Sequence, residues 1–173
     1  MKPAGVLDLD SSAAQHGHSP AMHGDIPRLK LVRADAATYL TEHPGTLDLA
    51  YSLFGAVDFC APQRLLPTVA AALRPGGRLI FSTLGHYKNG APPATECTAA
   101  DVPARLVEGS ASTIRRWVLD TPVREKLLDA FGFDLIGSGI VVDQGPEGGA
   151  PMTTCLFSAR RRLGHSAQSV GRP

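Results

Sequence analysis

The sequence predicts an α/β domain with a doubly wound, mostly parallel sheet that ends in an antiparallel hairpin. Short apolar runs alternate with helical patterns along the chain, which is typical of parallel strands joined by right-handed crossovers. One strand-like segment contains a run of apolar residues, as in a strand that is buried on both faces. The last two runs have no helix between them, and a hairpin is the shortest connection that joins such strands.

Length and composition narrow the class of protein. The 173 residues are enough for one domain, which we expect over residues 1–159, with a disordered polar tail over residues 160–173. Lys and Arg number 17 against 16 Asp and Glu, so no charged field points to nucleic acid as a partner. Three cysteines without a CxxC pair fit a reducing compartment, and no apolar run is long enough for a membrane span. We therefore expect a cytoplasmic protein, and the Ala-, Gly- and Arg-rich composition is typical of a bacterial one.

Apolar runs in the first third of the chain predict three strands, Ala4–Leu9, Leu29–Val32 and Thr46–Leu53. A helix is predicted from Ser11 or Ser12, its candidate N-cap, to about His23. Pro20 is expected to shorten or kink that helix. A second, short helix is predicted over Ala37–Glu42.

The same alternation continues after the third strand. Ala61–Leu73 carries apolar residues on one helical face, and the glycines of segment 74–77 are expected to cap its carboxyl end. Arg78–Thr83 is the strand whose apolar run predicts burial on both faces. Segment 85–112 predicts an irregular lid or substrate loop. A helix from Thr121 and two strands, Phe133–Val142 and Met152–Ala159, complete the prediction.

Ligands of doubly wound sheets bind at the carboxyl ends of the strands. Four segments that include these ends resemble class I S-adenosyl-L-methionine (SAM)-dependent methyltransferases: VLDLDSSAAQ (6–15), RADAATYL (33–40), LDLAYSLFGAVDF (47–59) and LLPTVAAALRPGGRLIFST (65–83). They are similar to the second to fifth strands of that family, and the terminal hairpin is also a family trait. The resemblance covers most of residues 4–159. It implies a Rossmann-like fold, SAM as cofactor and methyl transfer to a small-molecule acceptor.

The glycine-rich GxGxG-type loop, which follows the first strand of the family, has no counterpart here. Under this resemblance the chain is N-terminally incomplete: a truncated product, a start placed too far downstream, or a degenerate copy. In another register VLDLD is the family's first strand. Two observations oppose that register: the following loop lacks the required glycines, and only 27 positions separate Asp8 from Asp35, room for one helix and one strand.

The resemblance implies six cofactor-binding residues: Asp8, Leu9, Asp10, Asp35, Ala36 and Ser52. Asp8, or Asp10 as the competing candidate, would accept hydrogen bonds from the ribose hydroxyls. Asp35 would accept from the adenine amino group while the Ala36 N–H donates to a ring nitrogen. The alternatives remain open: Asp8 as a surface acid that caps the next helix, and Asp35 as the N-cap of its own helix.

The part of the site that binds the methyl acceptor is predicted at the carboxyl ends of the third and fourth strands. Phe54 and Tyr87 are the candidate substrate residues, and Ser52 is a candidate pocket wall. His86 is the candidate catalytic base, because the ordinary pKa of histidine allows it to take a proton from an acceptor hydroxyl or amine. An exposed loop histidine is the alternative, since many methyl transfers need only proximity and alignment.

Two clusters have a structural interpretation that we prefer to a functional one. His16, His18 and His23 have no acidic or cysteine partner at regular spacing, so a polar helix face is expected and no metal site is predicted. Arg160–Arg162 is interpreted as part of a solvated tail, since the net charge of +1 does not favour nucleic acid.

Two further functions compete with the methyltransferase. In the first, the chain is a non-catalytic remnant or a partner subunit, because losing a central strand exposes sheet edges that pair with another chain or a second copy. In the second, the domain binds NAD or another nucleotide. The missing GxGxxG and the terminal hairpin oppose this second alternative.

Overall fold

The computed structural model describes residues 5–23, 25–105, 109–143 and 151–164. These residues form eight strands and five helices, in the order β1 (Val6–Asp10), α1 (Ala13–His23), β2 (Leu29–Arg33), α2 (Ala36–Thr41), β3 (Leu47–Leu53), α3 (Ala56–Phe59), α4 (Pro62–Ala72), β4 (Leu73–Leu84), β5 (Ala100–Arg105), β6 (Ala111–Arg116), α5 (Thr121–Ala130), β7 (Phe133–Asp143) and β8 (Met152–Arg161). The alternation of strands and helices over the first half confirms the predicted α/β class.

The strands form three separate sheets in the described part of the chain. The main sheet has the order β3-β4-β8-β7, with β3 parallel to β4 and the other two pairs antiparallel. The antiparallel pairing of β7 and β8 confirms the predicted terminal hairpin. β1 and β2 form a parallel pair of their own, and β5 and β6 form an antiparallel hairpin.

The hydrophobic core lies on one face of the main sheet, under α4 and α5. Leu65 and Val69 of α4 and Leu128 of α5 pack against Phe81 and Phe157 of the sheet. The two phenylalanine rings stack with their centroids 4.9 Å apart. Burial of each such side chain stabilises the fold by about 1.5–3 kcal/mol, so this layer dominates the stability of the domain.

The prediction that the fourth strand is buried on both faces holds only for residues 81–84. Leu79 and Phe81 are buried in the core, but Ile80 between them is 36 % exposed on the opposite face of the sheet. Successive side chains of a strand point to opposite faces, so the first part of β4 has an exposed face, whereas Ser82 farther along the same face is buried.

The connection between α4 and β4 also differs from the prediction. The helix ends without a glycine cap, because Leu73 is already extended (φ −69°, ψ 144°) and begins β4. Gly76 has φ +78°, and a Cβ at Gly77 would lie 2.9 Å from the Arg74 carbonyl oxygen. The two glycines therefore allow a tight bend within the strand.

Segment 85–112 is not irregular throughout, which corrects the predicted loop. It contains β5 and the start of β6, in register from Ala100 opposite Arg116 to Arg105 opposite Ala111. The alternation was missed because β5 has the sequence ADVPAR, in which alanine and proline have low strand propensity. The short helix α3 was not predicted either.

The last strand extends past residue 159 into the segment that was predicted to be a polar tail. β8 continues to Arg161, and Arg162 forms ion pairs with Asp129 and, at 2.7 Å, with Asp134. Its backbone N–H donates to the Gly132 carbonyl (2.9 Å). The arginine run is thus anchored to the domain, and residues 165–173 of the predicted tail lie outside the described residues.

Candidate functional site

The carboxyl ends of β1 and β2 lie side by side, as the parallel pairing requires. The Ala34 N–H, just after β2, donates to the Asp10 carbonyl oxygen at 3.1 Å. One oxygen of the Asp10 carboxylate accepts the Ser12 N–H at 2.7 Å. Asp8 and Asp10 lie two residues apart on one strand, so their side chains share one face of β1. This half of the site brings together Asp8, Leu9 and Asp10, all half-buried.

Asp35 caps the amino end of α2, which confirms the structural alternative for this residue. Its Oδ1 accepts hydrogen bonds from the Thr38 N–H (2.9 Å) and the Thr38 hydroxyl (2.8 Å). Arg64 of α4 adds an ion pair of 2.6 Å to the same oxygen. The hydrogen bond from the Thr38 N–H is the main cause that lowers the pKa of Asp35, and the Thr38 hydroxyl and Arg64 act in the same direction. The predicted contacts of Asp35 and Ala36 with adenine stay predictions.

Arg64 and Cys60 belong to this half of the site and were not predicted. Arg64 lies 29 positions from Asp35 in the sequence, so no local pattern connects them. Burial raises the pKa of the Cys60 thiol, while the positive charge of Arg64 opposes that effect. The thiol is therefore protonated at neutral pH and contributes apolar contact rather than charge.

The ends of β3 and β4 form the second half of the site. The Phe54 N–H donates to the Ser82 carbonyl oxygen at 3.1 Å. Phe54 has φ +50°, a left-handed conformation that costs a non-glycine residue about 1 kcal/mol or more, and its side chain is exposed. The Ser52 hydroxyl accepts the Val57 N–H at 3.4 Å, and the Ser82 hydroxyl is buried without a hydrogen-bond partner among the described residues.

His86 is held by backbone groups on both ring nitrogens. Nε2 accepts the Thr153 N–H at 3.3 Å, so Nδ1 carries the proton and donates it to the Tyr87 carbonyl oxygen at 2.8 Å. The ring is half-buried rather than an exposed loop side chain. These contacts join the segment after β4 to β8. The predicted roles of His86 as base and Tyr87 as substrate residue are not decided by this geometry.

A buried ionic cluster, which was not predicted from the sequence, lies at the end of β4. The Asp58 carboxylate is fully buried and accepts hydrogen bonds from Arg124 (3.0 Å), Arg116 (3.1 Å) and the Thr83 hydroxyl. Arg124 also donates to the Trp117 carbonyl oxygen at 2.6 Å. Burial lowers the pKa of Arg124, and the charge of Asp58 opposes that shift. The cluster ties α3, α5, the end of β4 and the β5–β6 hairpin together.

The described residues do not bring the two halves of the site into direct hydrogen-bond contact. The first half lies on the β1–β2 pair and α2, and the second lies on β3 and β4 of the main sheet. Within the described ranges no group of three His, Cys, Asp or Glu residues is placed to hold a metal ion. No helix of these ranges is long and apolar enough to cross a membrane.

Solved structures share this architecture. No protein-family model and no curated protein matches the sequence. A SAM-dependent methyltransferase from Mesorhizobium loti superposes with a TM-score of 0.62 at 23 % identity, over 91 % of this chain and 80 % of that one. The 1,6-didemethyltoxoflavin-N1-methyltransferase of Burkholderia thailandensis, solved with S-adenosylhomocysteine, gives 0.58 at 18 % identity, over 91 % and 61 %.

The fold is thus a doubly wound α/β fold with a terminal antiparallel hairpin. It is the fold of class I SAM-dependent methyltransferases, as the sequence segments had indicated. The [4+2]-cyclase SpnF superposes as well, with a TM-score of 0.63 at 14 % identity, over 92 % of this chain and 67 % of that one. The reaction must therefore be argued from the site, because one fold supports several reactions.

Proposed function

We propose that this chain is a SAM-dependent methyltransferase that acts on a small molecule. The observation that carries the proposal is the position of the acids on this fold. Asp8 and Asp10 lie on the last residues of β1, and Asp35 lies two residues after the end of β2. In doubly wound folds, carboxylates at such strand ends accept hydrogen bonds from the ribose of a bound nucleotide.

The residues present fit the adenosine half of SAM. Asp10 keeps one carboxylate oxygen beyond its bond to Ser12, and Asp8 lies on the same face of β1. Asp35 directs Oδ1 to Thr38 and Arg64, while its Oδ2 has only a 3.5 Å contact with Arg64, so an acceptor remains for the adenine amino group. The described residues offer no glycine-rich loop for the methionine end. The hydrogen-bonding groups of these residues therefore fit the adenosine half of SAM.

The second half of the site is the proposed acceptor pocket. When bound, SAM supplies an electrophilic methyl group on its sulfonium. Ser52, Phe54 and Tyr87 would exclude water and align the acceptor with that methyl group. His86, with both ring nitrogens engaged, would orient the acceptor or hold Tyr87 rather than carry a proton away. The β5–β6 hairpin, tied to the cluster around Asp58, would border this pocket.

Calorimetry with S-adenosylhomocysteine tests the proposal. We expect the 173-residue chain to bind it with micromolar affinity, about −8 kcal/mol. Asp10→Ala should weaken binding by about tenfold or more, because a charge-assisted hydrogen bond to the ribose is lost. Asp48→Ala is the control: this acid is exposed at the start of β3, paired with Arg74, at the opposite strand ends. A folded chain that binds neither SAM nor S-adenosylhomocysteine would refute the proposal.

We also propose that the protein works in a reducing compartment, the cytoplasm. Cys60, Cys97 and Cys155 are all free thiols. Proteins of oxidising compartments usually pair their cysteines.

A further inference from the structure

The buried ionic cluster around Asp58 has more positive than negative charge. The Asp58 carboxylate is ion-paired with Arg124 at 3.0 Å and with Arg116 at 3.1 Å. No other carboxylate of the described residues forms an ion pair with either arginine. Because a guanidinium group stays protonated in proteins, one positive charge of the cluster has no counter-charge. An uncompensated charge away from water is costly unless an anion joins it.

The two arginines of the cluster differ in how fully they are used. The Arg124 side chain is 3 % exposed, and its Nη2 also donates to the Thr83 hydroxyl (3.1 Å) and the Trp117 carbonyl (2.6 Å). The Arg116 side chain is 11 % exposed, and its Nη2 donates to Asp58. Within the described part of the chain, the Nε of each arginine lacks a hydrogen-bond partner. Arg116 is therefore the more accessible of the two guanidinium groups, and it has a donor to spare.

Exposed aromatic side chains lie near this guanidinium group. The guanidinium carbon of Arg116 is 4.8 Å from the centroid of the Phe59 ring. Phe59 and Phe54, at the two ends of the segment that follows β3, are each 42 % exposed. A cation over an aromatic face keeps its charge while the ring shields one side of it from water. The segment thus offers apolar contact and positive charge together, as ligand sites commonly do.

The cluster lies at the second half of the candidate site. The Asp58 N–H donates to the carbonyl of Gly55, two residues after β3, at 2.9 Å. The Trp117 N–H donates to the Asp58 carbonyl at 2.8 Å, which fixes the end of β6 at the same place. The Thr83 hydroxyl, near the end of β4, donates to the Asp58 carboxylate. These contacts bring Arg116 to the carboxyl ends of β3 and β4.

We propose that Arg116 binds a carboxylate group of the methyl acceptor, so that the substrate is a small organic monoanion with an apolar body. This inference rests on the proposed function, because it names the substrate class of the same site. A carboxylate supplies the one negative charge that the cluster lacks, and its two oxygens match the fork of a guanidinium group. A phosphate group has nearly two negative charges at neutral pH and would reverse the imbalance.

Three small probes of equal shape test the preference for a carboxylate. Benzoate, benzamide and benzamidine share one ring and have a negative, a neutral and a positive substituent. Each is titrated into the full chain with and without S-adenosylhomocysteine, and the indole N–H resonance of Trp117, the one tryptophan and the neighbour of Arg116, reports binding. Benzoate should bind about tenfold more tightly than benzamide or better, and benzamidine should not bind.

Matched variants locate the anion at Arg116. Arg116→Gln should weaken benzoate by about tenfold or more, to the affinity of benzamide, and should leave benzamide unchanged. Arg116→Lys keeps the charge but loses the fork, so a smaller preference for benzoate should remain. Arg115→Gln is the control: this neighbour on β6 points to the opposite face, is 67 % exposed and lies 3.6 Å from Asp101. It should bind all three probes as wild type does.

The Arg116→Gln variant should stay folded, because Asp58 and Arg124 remain as a balanced pair. Its amide NMR spectrum should match that of wild type away from the cluster. Its unfolding temperature should fall by less than that of Asp58→Ala, which leaves two buried arginines without a counter-charge. A loss of benzoate binding in this variant is then a change at the site and not a loss of the fold.

The outcomes separate this inference from the proposed function. A chain that binds S-adenosylhomocysteine but binds benzoate no better than benzamide would refute the inference and leave the methyltransferase in place. A preference for benzoate that survives in Arg116→Gln would place the anion elsewhere and refute it as well. A chain that binds benzoate through Arg116 but no S-adenosylhomocysteine would refute the methyltransferase, and with it the role of the carboxylate as part of a methyl acceptor.

Discussion

The two faces of the main sheet carry similar side chains in different surroundings. On the face under α4 and α5, Phe81 and Phe157 are 1 % and 2 % exposed. On the other face, Tyr51 and Leu53 of β3, which pairs with β4, are mostly exposed. The comparison teaches that strand formation and burial are separate outcomes. An apolar strand forms wherever its edge finds a partner, and it is buried only where a second layer covers it.

The largest expected difference is between neighbouring residues of β4. Phe81→Ala should cost about 3–5 kcal/mol of unfolding free energy, because it leaves a cavity in the packed layer. Ile80→Ala, one position earlier on the uncovered face, should cost about 1 kcal/mol or less. Urea unfolding of both variants measures the two values. Similar costs for the two substitutions would mean that something covers the second face in solution.

The buried ionic cluster is expected to be nearly as sensitive as the aromatic core. Asp58→Ala leaves Arg116 and Arg124 buried without their common counter-charge, and should cost about 3–5 kcal/mol. Asp48→Ala removes an exposed ion pair with Arg74 and should change stability by about 1 kcal/mol at most. The same urea titration compares them, and a small cost at Asp58 would contradict the burial of this cluster.

A smaller effect on stability is expected at Asp35, the N-cap of α2. Asp35→Ala removes the N-cap and should cost about 1 kcal/mol at neutral pH. Because the pKa of Asp35 is lowered in the folded chain, its contribution is present above the ordinary pKa of 3.8 and is lost as the pH falls through the folded pKa. Thermal unfolding between pH 7 and the acid range should show wild type and variant converge. Asp25→Ala, at an exposed carboxylate, should track wild type throughout.

The smallest expected effect on stability is on the uncovered face itself. Leu53→Lys should change the unfolding free energy by about 0.5 kcal/mol or less, since the side chain is 63 % exposed. It should also reduce binding of a hydrophobic dye, because it removes one of the exposed apolar side chains of β3. A loss of stability comparable to that of Phe81→Ala would show that Leu53 is buried in the working form.

Periodicity predicted the elements whose side chains repeat clearly. α4 has apolar residues at helical spacing, and the Thr121-Pro122 start of α5 was recognised from the proline at the first turn. The β5–β6 hairpin was missed because alanine and proline dominate β5. The burial of β4 on both faces was predicted for the whole strand and is found only at residues 81–84, since an apolar run shows what a strand prefers to contact and not what is available to cover it.

The candidate site likewise combines local features, which the sequence predicts, with contacts between distant segments, which it does not. The acids at the strand ends were visible in the sequence because strand ends are local features. Arg64 beside Asp35, and Arg124 beside Asp58, lie 29 and 66 positions from their partners, so only the folded chain brings them together. The engagement of both ring nitrogens of His86 depends on Thr153, 67 positions away.

The sequence by itself determined the α/β class, the terminal hairpin and the acids at the ends of β1 and β2, because each is encoded in short stretches of hydrophobic period and turn chemistry. Only the tertiary structure decided which side chains of the sheet are covered, which arginines pair with Asp35 and Asp58, and which strands pair on one side only among the described residues. These features depend on pairings between distant segments. Their free energy comes from burial and charge compensation, and neither exists before the segments meet.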